Sequence, residues 1–174
     1  MGCKSLAVPL LCLLAAAQEP RYSASDELLR PEGWREWIFV GSSLGMGYQE
    51  GGGSDVGRFH NVYIPPQAYR AFRDTGKFPD KTMLVMEVLT AGSDASINKK
   101  GHFEDRSLGI EVALKDESRL AEKWAYFNFI GSGGKPLASA KPFPKEACWN
   151  CHNQHGGADN VFVQFYPVLR EARK

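Results

Sequence analysis

Past residue 37 the apolar positions come in short bursts suited to strands rather than in long helical stripes. Ile38-Phe39-Val40 looks like the first strand, and Phe59 to Ile64 (Phe-His-Asn-Val-Tyr-Ile) reads as another, rich in aromatic and β-branched residues. Pro65-Pro66 ends it, and Gln67 to Arg73 follows as a short helix with Tyr69 and Phe72 on one side, closed by Gly76. Thr82 to Thr90 is nearly continuous in apolar residues, which suggests a strand buried on both faces. Leu108 to Lys115 alternates: Leu108, Ile110, Val112 and Leu114 point one way, and Gly109, Glu111, Ala113 and Lys115 the other. That pattern predicts a strand with one buried face. Lys123 to Ile130 (Lys-Trp-Ala-Tyr-Phe-Asn-Phe-Ile) is an aromatic strand.

The intervening stretches are short. Residues 18–30 are polar and mixed and read as a linker or loosely held arm; Pro31 to Trp37 begins a short helix with Trp34 and Trp37 on one face. Gly41 to Gly57 is rich in glycine and serine but lacks the Gly-Lys-Ser/Thr of a phosphate loop, so it reads as a surface loop. Gly92 to Lys100 is a polar turn region, Asp116 to Ala121 a helical turn, and 131–144 a Gly/Pro-rich loop. Lys145 to His155 reads as a helix with Pro144 near its start, and Ala158 to Tyr166 as a short helix or extended piece closed by Pro167. Strands outnumber helices and the spacers are too short for parallel crossovers. The fold class is α+β, mainly antiparallel sheet with a few short helices, in one domain over 31–174 and without internal repeats.

The candidate chemistry sits near the end of the chain. Cys148-Trp149-Asn150-Cys151-His152 is the Cys-x-x-Cys-His pattern of covalent c-type haem attachment. Two thiols three residues apart can each add to one vinyl group of a single porphyrin, and the next residue offers an imidazole as proximal iron ligand. Other readings compete. Cys148, Cys151, His152 and His155 could bind zinc, though four ligands within eight residues is compact for that metal. A thioredoxin-like dithiol wants a βαβ context that is missing upstream, and a structural disulfide needs only the two thiols. If the group is haem, the strand-rich pattern excludes both the all-helical cytochrome c build and the four-helix cytochrome c′ bundle, and the helix over 145–155 becomes the haem-bearing one.

The N-terminus bears on that choice. Lys4, an apolar run from Leu6 to Leu14, and Ala15-Ala16-Ala17 have the charge, length and small residues of a secretory signal peptide over 1–17. The run is short of the roughly 20 apolar residues of a spanning helix. Leu11 before Cys12 is bulky for a lipoprotein site. Cleavage after Ala17 removes Cys3 and Cys12, leaving Cys148 and Cys151 for one cofactor, and takes the formal charge from +1 to neutral. Nothing in that balance suggests nucleic acid or a membrane surface. In a bacterium the predicted location is the periplasm, where haem is attached to exported chains.

Several motifs, taken in order, resemble the cytochrome P-460 family. They are Trp34-Arg35-Glu36-Trp37 with Val40-Gly41, Phe59-His60-Asn61-Val62-Tyr63-Ile64-Pro65, and Thr75-Gly76-Lys77-Phe78-Pro79-Asp80. Leu108-Gly109-Ile110-Glu111-Val112 with Lys115-Asp116, Trp124-Ala125-Tyr126-Phe127, and the Cys148–His152 pentapeptide with Phe162-Val163-Gln164-Phe165-Tyr166-Pro167-Val168-Leu169 complete the set. The resemblance implies a fold like the β-sheet cytochromes c′, one c-type haem on Cys148, Cys151 and His152, a homodimer, and chemistry on hydroxylamine or nitric oxide. Hydroxylamine-oxidising members carry a lysine cross-linked to the porphyrin edge. Its position here falls on Met86, which cannot form that amine-to-carbon bond; Lys81, Lys99 and Lys100 flank the strand.

The face opposite His152 decides function. Met86, His60, His102, Met83 and Met46 are candidate distal groups, and an axial methionine would make an electron carrier of raised potential. An open, apolar distal face lined by Phe59, Phe103 and Met86 is the expectation, favouring neutral diatomic ligands over anions. Arg58, Glu104 or Arg106 could add a polar group for proton transfer. Two functions follow: a redox enzyme acting on small nitrogen compounds, with a periplasmic redox partner, or a non-enzymatic haem protein that binds nitric oxide or carries electrons.

Overall fold

The computed structural model describes residues 19–47 and 56–172. The 1–17 signal segment, Cys3, Cys12 and most of the glycine-rich run at 48–55 lie outside them. Its elements are β1 (Leu28–Leu29), β2 (Ile38–Leu44), β3 (Arg58–Ile64), α1 (Pro66–Thr75), β4 (Met83–Gly92), β5 (Phe103–Lys115), β6 (Trp124–Asn128), β7 (Ser139–Ala140), α2 (Trp149–His155) and α3 (Pro167–Glu171). Strands β2 to β6 pair antiparallel in sequence order, and β1 pairs with β7 in a separate ribbon. This is the α+β, mainly antiparallel fold read from the sequence.

The sheet is packed on both faces. On the first, Met83, Val85, Ile110, Val112, Leu114 and Phe127 meet Trp34, Trp37 and Leu28. On the second, Val62, Ile64, Leu84 and Trp124 meet Ala68 and Phe72 of α1, Leu169 of α3, and Val161 and Val163. Burying apolar area on two sides at about 25 cal/mol per Å² is what makes one sheet sufficient for a domain of this length. A bulge between Phe39 and Gly41 sets Gly41 opposite Val62. A side chain at Gly41 would stand 3.2 Å from Pro167, so glycine there lets α3 close over the edge strand.

Several elements differ from the sequence reading. β2 runs on to Leu44, into the predicted loop, because β3 supplies partners as far as Phe59. Strand β5 has no solvent face over its last turns: Ala113 packs in the second core and Lys115 is buried. Buried charge needs a partner. Lys115 hydrogen-bonds the Asp159 carboxylate at 2.8 Å and the Phe78 carbonyl at 2.8 Å, and Glu117 lies 3.6 Å away. Alternation alone could not foresee that pairing. The segment read as a loose arm is held, since Leu28 is fully buried and Tyr22 donates to Asp116 at 2.7 Å. The 145–155 helix is shorter, beginning at Trp149. Pro167 opens α3 instead of closing the chain's last element, because proline at a first helical position lacks only an N–H that would be unpaired anyway.

Asp116 ties the arm to the sheet. Burial resists its ionisation, but hydrogen bonds from Lys81, Tyr22 and Ser118 outweigh that and hold its carboxyl at about 2. A depressed folded-state pKa contributes stability above the ordinary aspartate pKa, and that stability is lost as pH falls through the folded value. Asp116→Asn is therefore expected to cost roughly 2 kcal/mol at neutral pH. The difference from wild type should shrink between about pH 4 and pH 2, as read by urea denaturation across that range.

Candidate functional site

A cavity of about 370 Å³ lies between the second sheet face and the segment from Ala147 to Tyr166. That volume is within the range of small-molecule and cofactor pockets. One wall carries the pentapeptide. Cys148 caps the N-terminus of α2, and Cys151 and His152 follow within its first turns. Both thiols are half-buried and free, and both line the cavity together with His152.

His152 is fixed from three sides. Its Nδ1 lies 3.0 Å from the Asn160 carbonyl oxygen. A carbonyl only accepts, so Nδ1 carries the proton and Nε2 keeps its lone pair. Tyr126 and Phe162 pack against the imidazole with ring centroids at 4.0 and 4.3 Å. Burial lowers its pKa, partly offset by the Asn160 carbonyl, which favours the neutral, ligating form.

The carbonyl itself is held by a tight turn. Asp159 and Asn160 both have positive φ (46° and 61°), and Ala158 and Val161 bond each other across them. Aspartate and asparagine tolerate that left-handed backbone better than other residues with a side chain. Lys115 Nζ at 2.8 Å and Trp124 Nε1 at 3.1 Å grip the Asp159 carboxylate from the sheet.

The facing wall comes from alternate residues of β3, β4 and β5. Val62, Met86 and Glu111 stand side by side in one row of the sheet, with His60 and Val88 in the next. All five line the cavity, as do Arg58 and Met46. Burial raises the Glu111 pKa and the Arg58 charge partly lowers it again. Burial and Arg58 lower the pKa of His60. The Cys148 thiol is pushed up by burial, then by Glu111 and Cys151.

The cavity thus gathers Cys148, Cys151, His152, Met86, His60, Met46 and Arg58 from the sequence candidates. Phe59 and Phe103 are not among its lining residues. Phe59 alternates with His60 and so points to the other sheet face, and the Phe103 ring lies against Gly92. Met83 is in the first core, and Glu104 accepts from Asn61 Nδ2 at 2.8 Å, away from the cavity. His102, Arg106, Lys99 and Lys100 are exposed, and Lys81 pairs with Asp116. Among the described residues no lysine lines the cavity. His155 is exposed, and among the described residues no three or more His, Cys, Asp or Glu side chains converge as a metal-holding group, so the zinc arrangement does not form.

Four contributors escaped sequence reasoning: Glu111, Tyr126, Asn160 and Phe162. For Glu111 a signal existed, since Gly109 and Ala113 flank it with small side chains that leave room over the strand. The Asp159-Asn160 pair was likewise a turn signal.

The residues present fit a haem. Two thiols and a neutral imidazole share one wall, the other is largely apolar, and Asn160 Nδ2 is a buried donor with no partner among the described residues. A family model described as Cytochrome P460 matches residues 31–163. No curated protein matches the chain.

A raised folded-state pKa at Glu111 means that its ionised form costs the folded chain stability. That cost is absent below the ordinary glutamate pKa and grows as pH rises through the folded value. Glu111→Gln should therefore be more stable than wild type at neutral pH in the cofactor-free chain. The gain should vanish below about pH 4 when denaturation curves are compared.

Proposed function

The chain belongs to the cytochrome P460 family of haem cytochromes, and from that membership we propose that it holds one covalent c-type haem and handles small nitrogen species at the face opposite His152. Cys148 and Cys151 would supply the two thioethers and His152 Nε2 the proximal ligand. The observation that carries this reading is the pairing of walls. A neutral imidazole, locked by the Asn160 carbonyl and flanked by two thiols, faces a row in which Met86 stands between Val62 and Glu111. The haem supplies one-electron chemistry and a coordination site for a small ligand.

The chain's own residues decide what reaches that site. Over Val62, Val88 and Met86 the wall is apolar and suits a neutral ligand, since an anion there would lose hydration and only Arg58, at the end of β3, could offset its charge. Glu111 offers a carboxyl that takes or gives a proton at the same wall, and Arg58 offers a positive charge beside it. Met86 stands where the resemblance places the cross-linking lysine. This favours nitric oxide binding or redox turnover over hydroxylamine oxidation. A second reading has a specific support: Met86 lines the cavity and carries a thioether, so axial ligation would make the protein an electron carrier. Export to the periplasm, a redox partner there and assembly as a homodimer complete the proposal.

The test is the absorption spectrum of periplasmically expressed protein, oxidised and dithionite-reduced, with a pyridine haemochrome to count thioethers. An ordinary haem c spectrum with two thioethers, five-coordinate and high-spin, is the expected result. A strongly red-shifted reduced Soret band would reveal a cross-link and return hydroxylamine to the lead. A six-coordinate spectrum that becomes five-coordinate in Met86→Ala would establish the carrier instead. His152→Ala should keep the thioethers and lose the proximal band pattern; an unchanged iron spectrum would remove His152 from the axial position.

A further inference from the structure

We propose that Tyr126 tunes the donor strength of the proximal histidine by sharing the carbonyl to which His152 is hydrogen-bonded. The inference rests on the assignment of His152 as an iron ligand. The Tyr126 hydroxyl donates to the Asn160 carbonyl oxygen at 2.9 Å, and His152 Nδ1 donates to the same oxygen at 3.0 Å. A carbonyl oxygen has two lone pairs, and both are engaged. Two donors on one acceptor compete for its charge, so each bond is weaker than it would be alone.

The competition cannot be relieved by movement. Asn160 sits in the second left-handed position of its turn, and the preceding Asp159 is clasped by Lys115 and Trp124. Lys115 is itself buried and bonded to the Phe78 carbonyl at 2.8 Å. The oxygen is therefore presented at a fixed place, between a phenol from β6 and an imidazole from α2. Tyr126 is buried, and burial raises its pKa, so the phenol remains a donor throughout the physiological range. Its ring also packs on the His152 ring at 4.0 Å, a contact that phenylalanine would keep.

The chemical consequence has a sign. A stronger acceptor on Nδ1–H draws its proton away and gives the imidazole more anionic character, which makes it a more basic ligand. A more basic axial ligand favours ferric over ferrous iron and lowers the potential. By occupying half of the acceptor, Tyr126 holds the histidine below its full donor strength and keeps the potential up. Tyr126 is thus a positioning and tuning residue that need not touch iron or ligand.

Tyr126→Phe in the holoprotein is the first probe. Covalent haem by pyridine haemochrome should be unchanged. The midpoint potential should fall by a threefold to tenfold shift of the ferric–ferrous equilibrium, the tenfold limit being about 59 mV for one electron. The iron–histidine stretching frequency of the ferrous form should rise. Site-specific 3-fluorotyrosine at 126, a stronger donor of nearly the same shape, should move both readouts the opposite way, and it keeps the test alive should the phenylalanine variant misfold. A normal haemochrome with potential and stretch unmoved, or moved in the same direction by both probes, would overturn this inference alone. A wild-type protein with no covalent haem would overturn the haem assignment and this inference together.

Discussion

A sheet that is apolar on both faces has to be covered twice, and most of this architecture follows from that requirement. The first face is closed by the N-terminal segment, with Trp34, Trp37 and Leu28 lying over Val85, Ile110 and Val112. The second is closed at one end by α1, α3 and the segment carrying Val161 and Val163. Over Met86, His60 and Glu111 the second cover lifts away and leaves a cavity. The site is therefore a gap in an otherwise continuous second core, floored by the sheet's three central strands and roofed by the chain's last third. A floor paired by strands on both sides matters because the roof is made of short elements whose positions must be set from below.

The Lys115–Asp159 clasp is how the floor sets the roof. It joins the end of β5 to the turn after α2, with Trp124 of β6 as a second grip on the same carboxylate. Only the lysine end of this pair is buried, and Glu117 at 3.6 Å and the Trp124 indole would still serve the member left behind. Breaking the pair would act chiefly on geometry. The clasp fixes Asp159, Asp159 fixes the left-handed turn, and the turn aims the Asn160 carbonyl at His152. The ion pair thus serves as a registration device between two walls of one cavity.

Much of this was legible in the chain. The antiparallel sheet, the double burial of β4 and the pentapeptide all follow from periodicity and spacing. The misreadings share a cause. Alternation in β5 placed Glu111, Ala113 and Lys115 toward water because charged residues usually go there. Each lies inward for a different reason: Lys115 has a distant carboxylate, Ala113 packs under the roof, and Glu111 borders a cavity that only tertiary structure creates. Phe59 and Phe103 erred the other way, as aromatic residues assigned to the cavity by type. Register sends Phe59 to the opposite face, and the hairpin carries Phe103 beyond the site.

The facing wall shows what a single position decides. In the row Val62–Met86–Glu111, the central residue is neutral, flexible and polarisable, and a charged group stands at only one side. A lysine at 86 would have to lose a proton, pair with Glu111 or bond covalently to whatever fills the cavity, since an unpaired ammonium there would be costly. Methionine imposes none of these outcomes. It leaves Glu111 paired only at a distance with Arg58, so its carboxyl stays available for a proton. Methionine at 86 therefore keeps an ammonium away from the Glu111 carboxyl, and the wall is neutral at its centre and acidic at its margin.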